Sequence, residues 1–334
     1  MDQVAVVTGS RGFIGRHLVE ALLERGFHVR CVDVKPEPPR DGPERGRVRH
    51  YRLDCRDRAA LLDSDALDGT DYVFHLAGAT RFVNLERFRQ ANVVPTRNLL
   101  EAIATRGIRL RRFVLMSSQA VGGPATGEDA PTRETDTPAP IGFYATSKLE
   151  AEHVVREHGD RVPFTILRPS AVYGPGDVDF LQIFRLARLH MSVFTGYADH
   201  ALSLVFVDDL VRGTVQAAES ERTRAGAYFL CSPDPVTWRH IHSAVADSLK
   251  TRVLTIHIPV PVAEIGARVG DAYSRITGRE TLANSQKLMQ SRLPFWICSA
   301  DAATRDFGFC ARVSLAEGLE QTRRWYVEHR WLPA

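Results

Sequence analysis

The chain has 334 residues, 44% hydrophobic and 25% charged, which excludes a disordered or fibrous protein and suits one large domain, alone or with a smaller cap. Its formal net charge of +3, from 43 basic and 40 acidic residues, is too small to suggest nucleic-acid binding. Only four of the 43 basic residues are lysine (Lys35, Lys148, Lys250 and Lys287), so each of these four raises a question about its role.

In chain order, residues 4–7 are a β-branched run that predicts a buried strand. Residues 16–25 place Leu18, Leu22 and Leu23 on one side of a helix that stops at Gly26. Strands are expected over 28–34 and 72–76, a helix over 85–105, a strand over 112–116, a helix over 143–158 and a strand over 164–167. Such alternation predicts an α/β fold: a doubly wound parallel sheet with helices on both faces. Proline-rich stretches at 36–43 and 124–140 read as loops. After Arg168-Pro169 the alternation weakens. Residues 204–209 and 227–230 are expected to return to the main sheet as strands. The expected division is a nucleotide-binding domain of residues 1–169 plus 204–232, and a smaller, partly discontinuous substrate lobe of 170–203 plus 233–334.

The five cysteines, Cys31, Cys55, Cys231, Cys298 and Cys310, are scattered and form no C-x-x-C pair. They predict reduced thiols in a cytoplasmic protein rather than a disulfide framework or a metal site. No basic region precedes the first apolar run, and no stretch of about 18 apolar residues exists, so neither a signal peptide nor an integral membrane segment is expected. The apolar stretch 256–269 is broken by Pro259, Pro261, Glu264 and Arg268. It reads as a core or lid segment, with membrane-surface contact as the second reading.

Thr8-Gly9-Ser10-Arg11-Gly12-Phe13-Ile14-Gly15 joins the first strand to the first helix. Gly9, Gly12 and Gly15 allow a tight turn and close approach of backbone to a pyrophosphate, and the helix start supplies N–H donors. Asp33 ends the second strand, where a carboxylate accepts from the adenosine ribose hydroxyls and repels a 2′-phosphate. This favours NAD, with NADP left open by Arg11 and Lys35. Asp54, with the Cys55 backbone, falls where it can hold an adenine amino group or simply cap a turn.

Tyr144 and Lys148 stand one helical turn apart on the same face. An ammonium beside a phenol favours the phenolate, so the pair can move a proton at a carbinol oxygen. Arginine, permanently charged, does not serve equally. Ser117 and Ser118 follow the strand that ends at Met116, and such strand ends line the ligand crevice of an open α/β sheet. Ser118 is the stronger candidate for a hydrogen bond to the reacting oxygen, with Ser117 as helper. Asn92 either orients a water toward Lys148 or is an ordinary helix asparagine.

Taken together, these motifs resemble those of the extended short-chain dehydrogenase/reductases over almost the whole chain. The resemblance rests on Gly9 to Gly15, Asp33, His75-Leu76-Ala77-Gly78, Asn92, Ser118, Tyr144 with Lys148, Leu167-Arg168-Pro169 through Val172-Tyr173-Gly174-Pro175-Gly176, and Val207-Asp208-Asp209. It implies a Rossmann domain that binds NAD, with Phe13, Ile14, Leu76, Ala77, Gly78, Pro169 and Val172 against the cofactor. Tyr144 becomes the general acid/base and Lys148 the holder of the nicotinamide ribose. A homodimer through the helices around 85–105 and 143–158 is also implied.

Within that family, sugar 4,6-dehydratases carry Asp-Glu after the catalytic hydroxyl residue, where this chain has Gln119 and Ala120. Nucleotide-sugar epimerases usually have a diphosphate-binding arginine at the position of Leu202, and a late Arg-x-Gly-Asp run that is absent here. The late segments Gly278-Arg279-Glu280-Thr281-Leu282 and Leu293-Pro294-Phe295-Trp296 resemble the 3β-hydroxysteroid dehydrogenase-like branch. The expected activity is therefore an NAD(P)-dependent alcohol–ketone oxidoreductase acting on a small, largely apolar, hydroxysteroid- or lipid-like molecule. The alternatives are a nucleotide-sugar 4-epimerase and a redox-inactive NAD-binding protein.

Overall fold

The computed structural model describes residues 3–35, 45–82, 84–195, 199–277, 288–289 and 293–333. The expected loop at 36–43, Lys287 and the segment 278–282 lie outside the described residues.

Six strands of the main sheet come first in the chain: β1 (Val4–Thr8), β2 (His28–Asp33), β3 (Val48–Arg52), β4 (Tyr72–His75), β5 (Arg112–Met116) and β6 (Phe164–Pro169). Short strands β7 (Ala171–Tyr173), β8 (Met191–Thr195), β9 (Ala201–Leu202) and β10 (Leu204–Phe206) follow outside it. Then β11 (Ala227–Leu230) completes the main sheet, whose order is β11-β6-β5-β4-β1-β2-β3 with every pair parallel. The sheet reverses direction between β1 and β4, which creates the crevice at the C-terminal strand ends where ligands bind in such folds.

The helices are α1 (Phe13–Glu24), α2 (Arg58–Asp63), α3 (Leu85–Asn92), α4 (Val94–Thr105), α5 (Phe143–Glu157), α6 (Val178–Arg188), α7 (Val207–Glu219), α8 (Trp238–Ser248) and α9 (Val260–Thr277), followed by Asp301–Phe307 and Leu315–Glu328. Strand residues alternate between the two faces of the sheet. Ala5 and Val7 pack with Leu18 and Leu22 of α1 and with Leu210 and Val215 of α7. Val6 faces the other way, in one cluster with Leu99, Leu100 and Ile103 of α4 and with Ala151 and Val155 of α5. A third cluster lies beyond the sheet and joins Tyr173, Phe180, Phe184, Leu202, Phe206, Ile241, Leu319 and Tyr326.

Three expectations change. The helix expected over 85–105 is two helices, because Pro95 has no N–H to continue the first and sits in the opening turn of the second. Residues 204–209 do not return to the main sheet: β10 pairs only with β7, and Val207 already begins α7. Asp208 and Asp209 in the first turn of α7 suit the positive end of its dipole. The stretch 256–269 is split between β13 (Leu254–Ile258), which pairs with β8, and α9; β12 (Val236–Thr237) and β14 (Phe295–Trp296) flank β9. The edge strand β3 and helix α7 were not anticipated. All five cysteines are free thiols, and only Cys310 is exposed.

Candidate active site

The turn after β1 is shaped by close approach. Gly9 has φ +68°, and a Cβ on it would lie 2.8 Å from the Ala77 nitrogen. A Cβ on Gly15 would lie 2.2 Å from the Gly9 carbonyl oxygen. Neither position accepts a side chain without moving backbone. Helix α1 starts at Gly12 with no side-chain cap and no acidic residue in its first turn, so its leading N–H groups are left to an external acceptor. Ser10 is buried, and its hydroxyl has no hydrogen-bond partner among the described residues. Both Asp33 carboxylate oxygens are set by backbone: Arg11 N–H donates at 3.1 Å and Lys35 N–H at 3.2 Å. Ser10, Asp33, Lys35 and Tyr51 line one small cavity there. A glycine cradle, an uncapped helix start, an orphan hydroxyl and an oriented carboxylate fit a dinucleotide. Asp33→Ala is expected to narrow the preference for NAD over NADP about tenfold or more, read from the two dissociation constants; an unchanged ratio would move the ribose site elsewhere.

Within the protein, Asp54 pairs with Arg56. Its carboxylate is bidentate on Arg56 and also accepts the Arg56 N–H at 2.9 Å, and this pairing holds it below the usual carboxylate range. The Cys55 carbonyl accepts from Asn98 at 3.1 Å, and burial pushes the Cys55 thiol up to about 12.

At the other end of the crevice, α5 brings Tyr144 and Lys148 over the end of β5. Lys148 is buried, and its Nζ donates to the Met116 carbonyl at 2.8 Å, two residues before Ser118. Burial lowers Lys148 to about 8, against the opposing charge of Glu152. Burial raises the Tyr144 phenol above its ordinary value, and a hydrogen bond from Ser118 works against this. Phe88 packs on Tyr144 with ring centroids 6.0 Å apart, and Phe82 stands edge-on to Phe88 at 5.5 Å. One aromatic ring thus packs against Tyr144, with a second beyond it.

Ser117 and Asn92 both have protein partners. Ser117 is buried and donates to Glu152 Oε1 at 2.6 Å, so its hydroxyl faces away from the crevice chemistry. The Asn92 side chain accepts the Ala79 N–H at 2.8 Å and donates to Ser147 Oγ at 2.9 Å and to the Ala79 carbonyl at 3.1 Å. It clamps the loop after β4 onto α5. Leu76, Ala77 and Gly78 begin that loop; Gly78 lies against Asn92 and Lys148, where a Cβ would be 2.7 Å from Asn92 Oδ1 and 3.6 Å from Lys148 Nζ. Pro169 ends β6 and Val172 sits in β7, at the same C-terminal strand ends.

Two groups were given no role from sequence. Burial and the Lys148 charge push His75 down to about 3, so its ring is neutral. Thr96 Oγ1 donates to the Asn92 carbonyl at 2.7 Å and must accept from His75 Nε2, 3.0 Å away. His75 Nδ1 then accepts from Thr8 Oγ1 at 2.7 Å, and Thr8 accepts the Ala77 N–H at 3.1 Å. This chain of bonds ties the glycine turn to Asn92. The second group is Glu152, fully buried, which accepts from Ser117 and from Arg168 Nε at 2.9 Å and Nη2 at 2.7 Å. Its spacing was a usable signal: Tyr144, Lys148 and Glu152 recur every four residues on one face of α5.

The profile of the NAD dependent epimerase/dehydratase family matches residues 5–230. The chain belongs to this family. It is 27% identical over 337 residues to the ceramide reductase of Caulobacter vibrioides, covering 99% of this chain and 96% of that one. It is 30% identical over 266 residues to the sterol-4-alpha-carboxylate 3-dehydrogenase, decarboxylating, of Bos taurus, covering 76% and 72%. The structure of MoeE5 in complex with UDP-glucuronic acid and NAD superposes with a TM-score of 0.77 at 26% identity, covering 99% of this chain and all of that one. The protein is an NAD-dependent enzyme of the extended short-chain dehydrogenase/reductase type.

Proposed function

We propose that the protein interconverts a secondary alcohol and a ketone on a largely apolar, lipid- or sterol-like substrate. The observation that carries this reading is the convergence of Ser118, Tyr144 and Lys148, with Phe88 packed against Tyr144. The chemistry named for the ceramide reductase and the sterol dehydrogenase supports the same substrate class. In the reducing direction, Tyr144 gives its phenolic proton to the ketone oxygen as that oxygen gains negative charge; in the oxidising direction it takes the hydroxyl proton of the alcohol. Ser118 donates a hydrogen bond to the same oxygen and so fixes its position. Lys148, held by the Met116 carbonyl, reaches the nicotinamide ribose. Gly9, Gly12, Phe13, Ile14 and Gly15 hold the diphosphate and Asp33 the adenosine ribose, while Leu76 to Gly78, Pro169 and Val172 border the rest of the cofactor. NAD, when bound, supplies hydride transfer at C4 of its ring.

A nucleotide-sugar epimerase is the second reading, favoured by the likeness to MoeE5. Against it stands Leu202, buried in the apolar cluster with Phe206, Ile241 and Trp296, where a diphosphate contact has no place. The test is a panel of sterols, long-chain ketones and nucleotide sugars, followed by nicotinamide absorbance. Turnover is expected with the apolar members, and turnover of nucleotide sugars alone would contradict the reading. Reduction needs the Tyr144 proton and the Lys148 ammonium. Both are lost as pH rises, Lys148 first, so kcat/KM for reduction should be flat below and fall about tenfold per pH unit above about 8. A rate that rises through that range would exclude these roles.

A further inference from the structure

Helix α9 is amphipathic in the reverse of the usual sense. Val262, Ile265, Val269 and Tyr273 are 57%, 64%, 64% and 48% exposed. Their spacing of three, four and four residues sets them in one stripe along the helix. The face toward the protein is small or polar: Ala267, Gly270 and Ser274 are buried, and Glu264 and Asp271 are half-buried. A surface helix ordinarily turns its apolar stripe inward, so this stripe is built for a nonaqueous surface outside the fold. Charge points the same way. Arg268 is exposed, and no acidic residue of α9 is. Residues 250–292 hold seven Lys and Arg against three Asp and Glu, although the whole chain carries only +3. The rest of the chain is thus slightly acidic, and the positive charge is concentrated in the stretch of sequence that contains this helix.

We propose that α9 lies on the surface of an anionic lipid bilayer. Val262, Ile265, Val269 and Tyr273 enter the boundary between headgroups and acyl chains, and the exposed Arg268 meets the anionic headgroups. The helix lies on the bilayer rather than crossing it: no helix among the described residues is long and apolar enough to span. A second copy of the chain is the poorer occupant, because a symmetric contact through this face sets one basic segment against another. The proposal does not depend on which substrate the enzyme turns over.

The test is sedimentation of the whole protein with vesicles of phosphatidylglycerol and phosphatidylcholine, against vesicles of phosphatidylcholine alone. Binding is expected to the anionic vesicles, to weaken in high salt, and to be much poorer on the neutral ones. Val262→Ser, Ile265→Ser and Val269→Ser together should lower the bound fraction about tenfold or more, with NAD binding and thermal stability unchanged because the three side chains are exposed. Arg268→Glu should reduce the preference for anionic vesicles. The proposal is overturned if the wild-type protein stays in the supernatant or the triple variant binds as well as wild type. It is also overturned if the triple variant dissociates a dimer that never bound vesicles.

Discussion

Tyr144→Phe is expected to lower turnover about 10³-fold, ~4 kcal/mol in the barrier, while leaving NAD affinity within about twofold of wild type. The substitution removes one oxygen and keeps the ring on Phe88, so that packing survives. What is lost is the proton that neutralises the developing alkoxide, together with the hydrogen bond from Ser118. Ser118→Ala should cost less, because it removes a positioning contact and leaves the proton donor in place. The measurement is kcat for both variants under saturating cofactor, with NAD affinity determined separately. Wild-type turnover in Tyr144→Phe would remove Tyr144 from the chemistry.

Glu152→Leu is expected to have the largest effect on stability. It leaves the Arg168 guanidinium buried without its carboxylate and leaves the Ser117 hydroxyl without its acceptor. Stranding one half of a buried ion pair costs ~3–5 kcal/mol, where an exposed pair contributes under about 1 kcal/mol. At the few degrees per kcal/mol typical of a chain this size, the melting temperature should fall by about 10 °C. Arg168 also lies over the Phe229 ring, 5.4 Å from its centroid, so Arg168→Met retains some of that packing. The double variant Glu152→Leu with Arg168→Met should therefore be more stable than the sum of the single changes predicts. Additive losses would mean that the two side chains are not energetically coupled. Because Glu152 sits one turn beyond Lys148 and bonds the residue before Ser118, Glu152→Leu should also depress kcat.

The parts of this site that were legible in the sequence are those whose chemistry is local. Gly9 to Gly15 are read together because strand, turn and helix start occupy one short run, and Tyr144 and Lys148 because a helix brings residues four apart to one face. Glu152 lies on that same face, but its partners Ser117 and Arg168 come from two different strands, and no local pattern announces that meeting. Asn92 shows the converse. Its position was found, yet its role depends on Ala79 and Ser147, which the fold brings to it from another loop and another helix. Strand β3 was missed because Val48-Arg49-His50-Tyr51-Arg52 is polar and lies at the edge of the sheet, where burial imposes little apolar pattern. The stretch 204–209 reads as one apolar run ending in two acids, and only the tertiary structure shows the chain turning into a helix at Val207.

The proposed reaction is net hydride transfer to an apolar ketone. It is tested most directly by supplying NADH deuterated at C4 of the nicotinamide with a long-chain or sterol ketone and analysing the product by mass spectrometry. A dehydrogenase/reductase should yield alcohol carrying one deuterium at the carbinol carbon, in step with NADH consumed, and Tyr144→Phe should suppress both together. Interconversion of nucleotide sugars with no net consumption of NADH, and no labelled alcohol, would contradict the account.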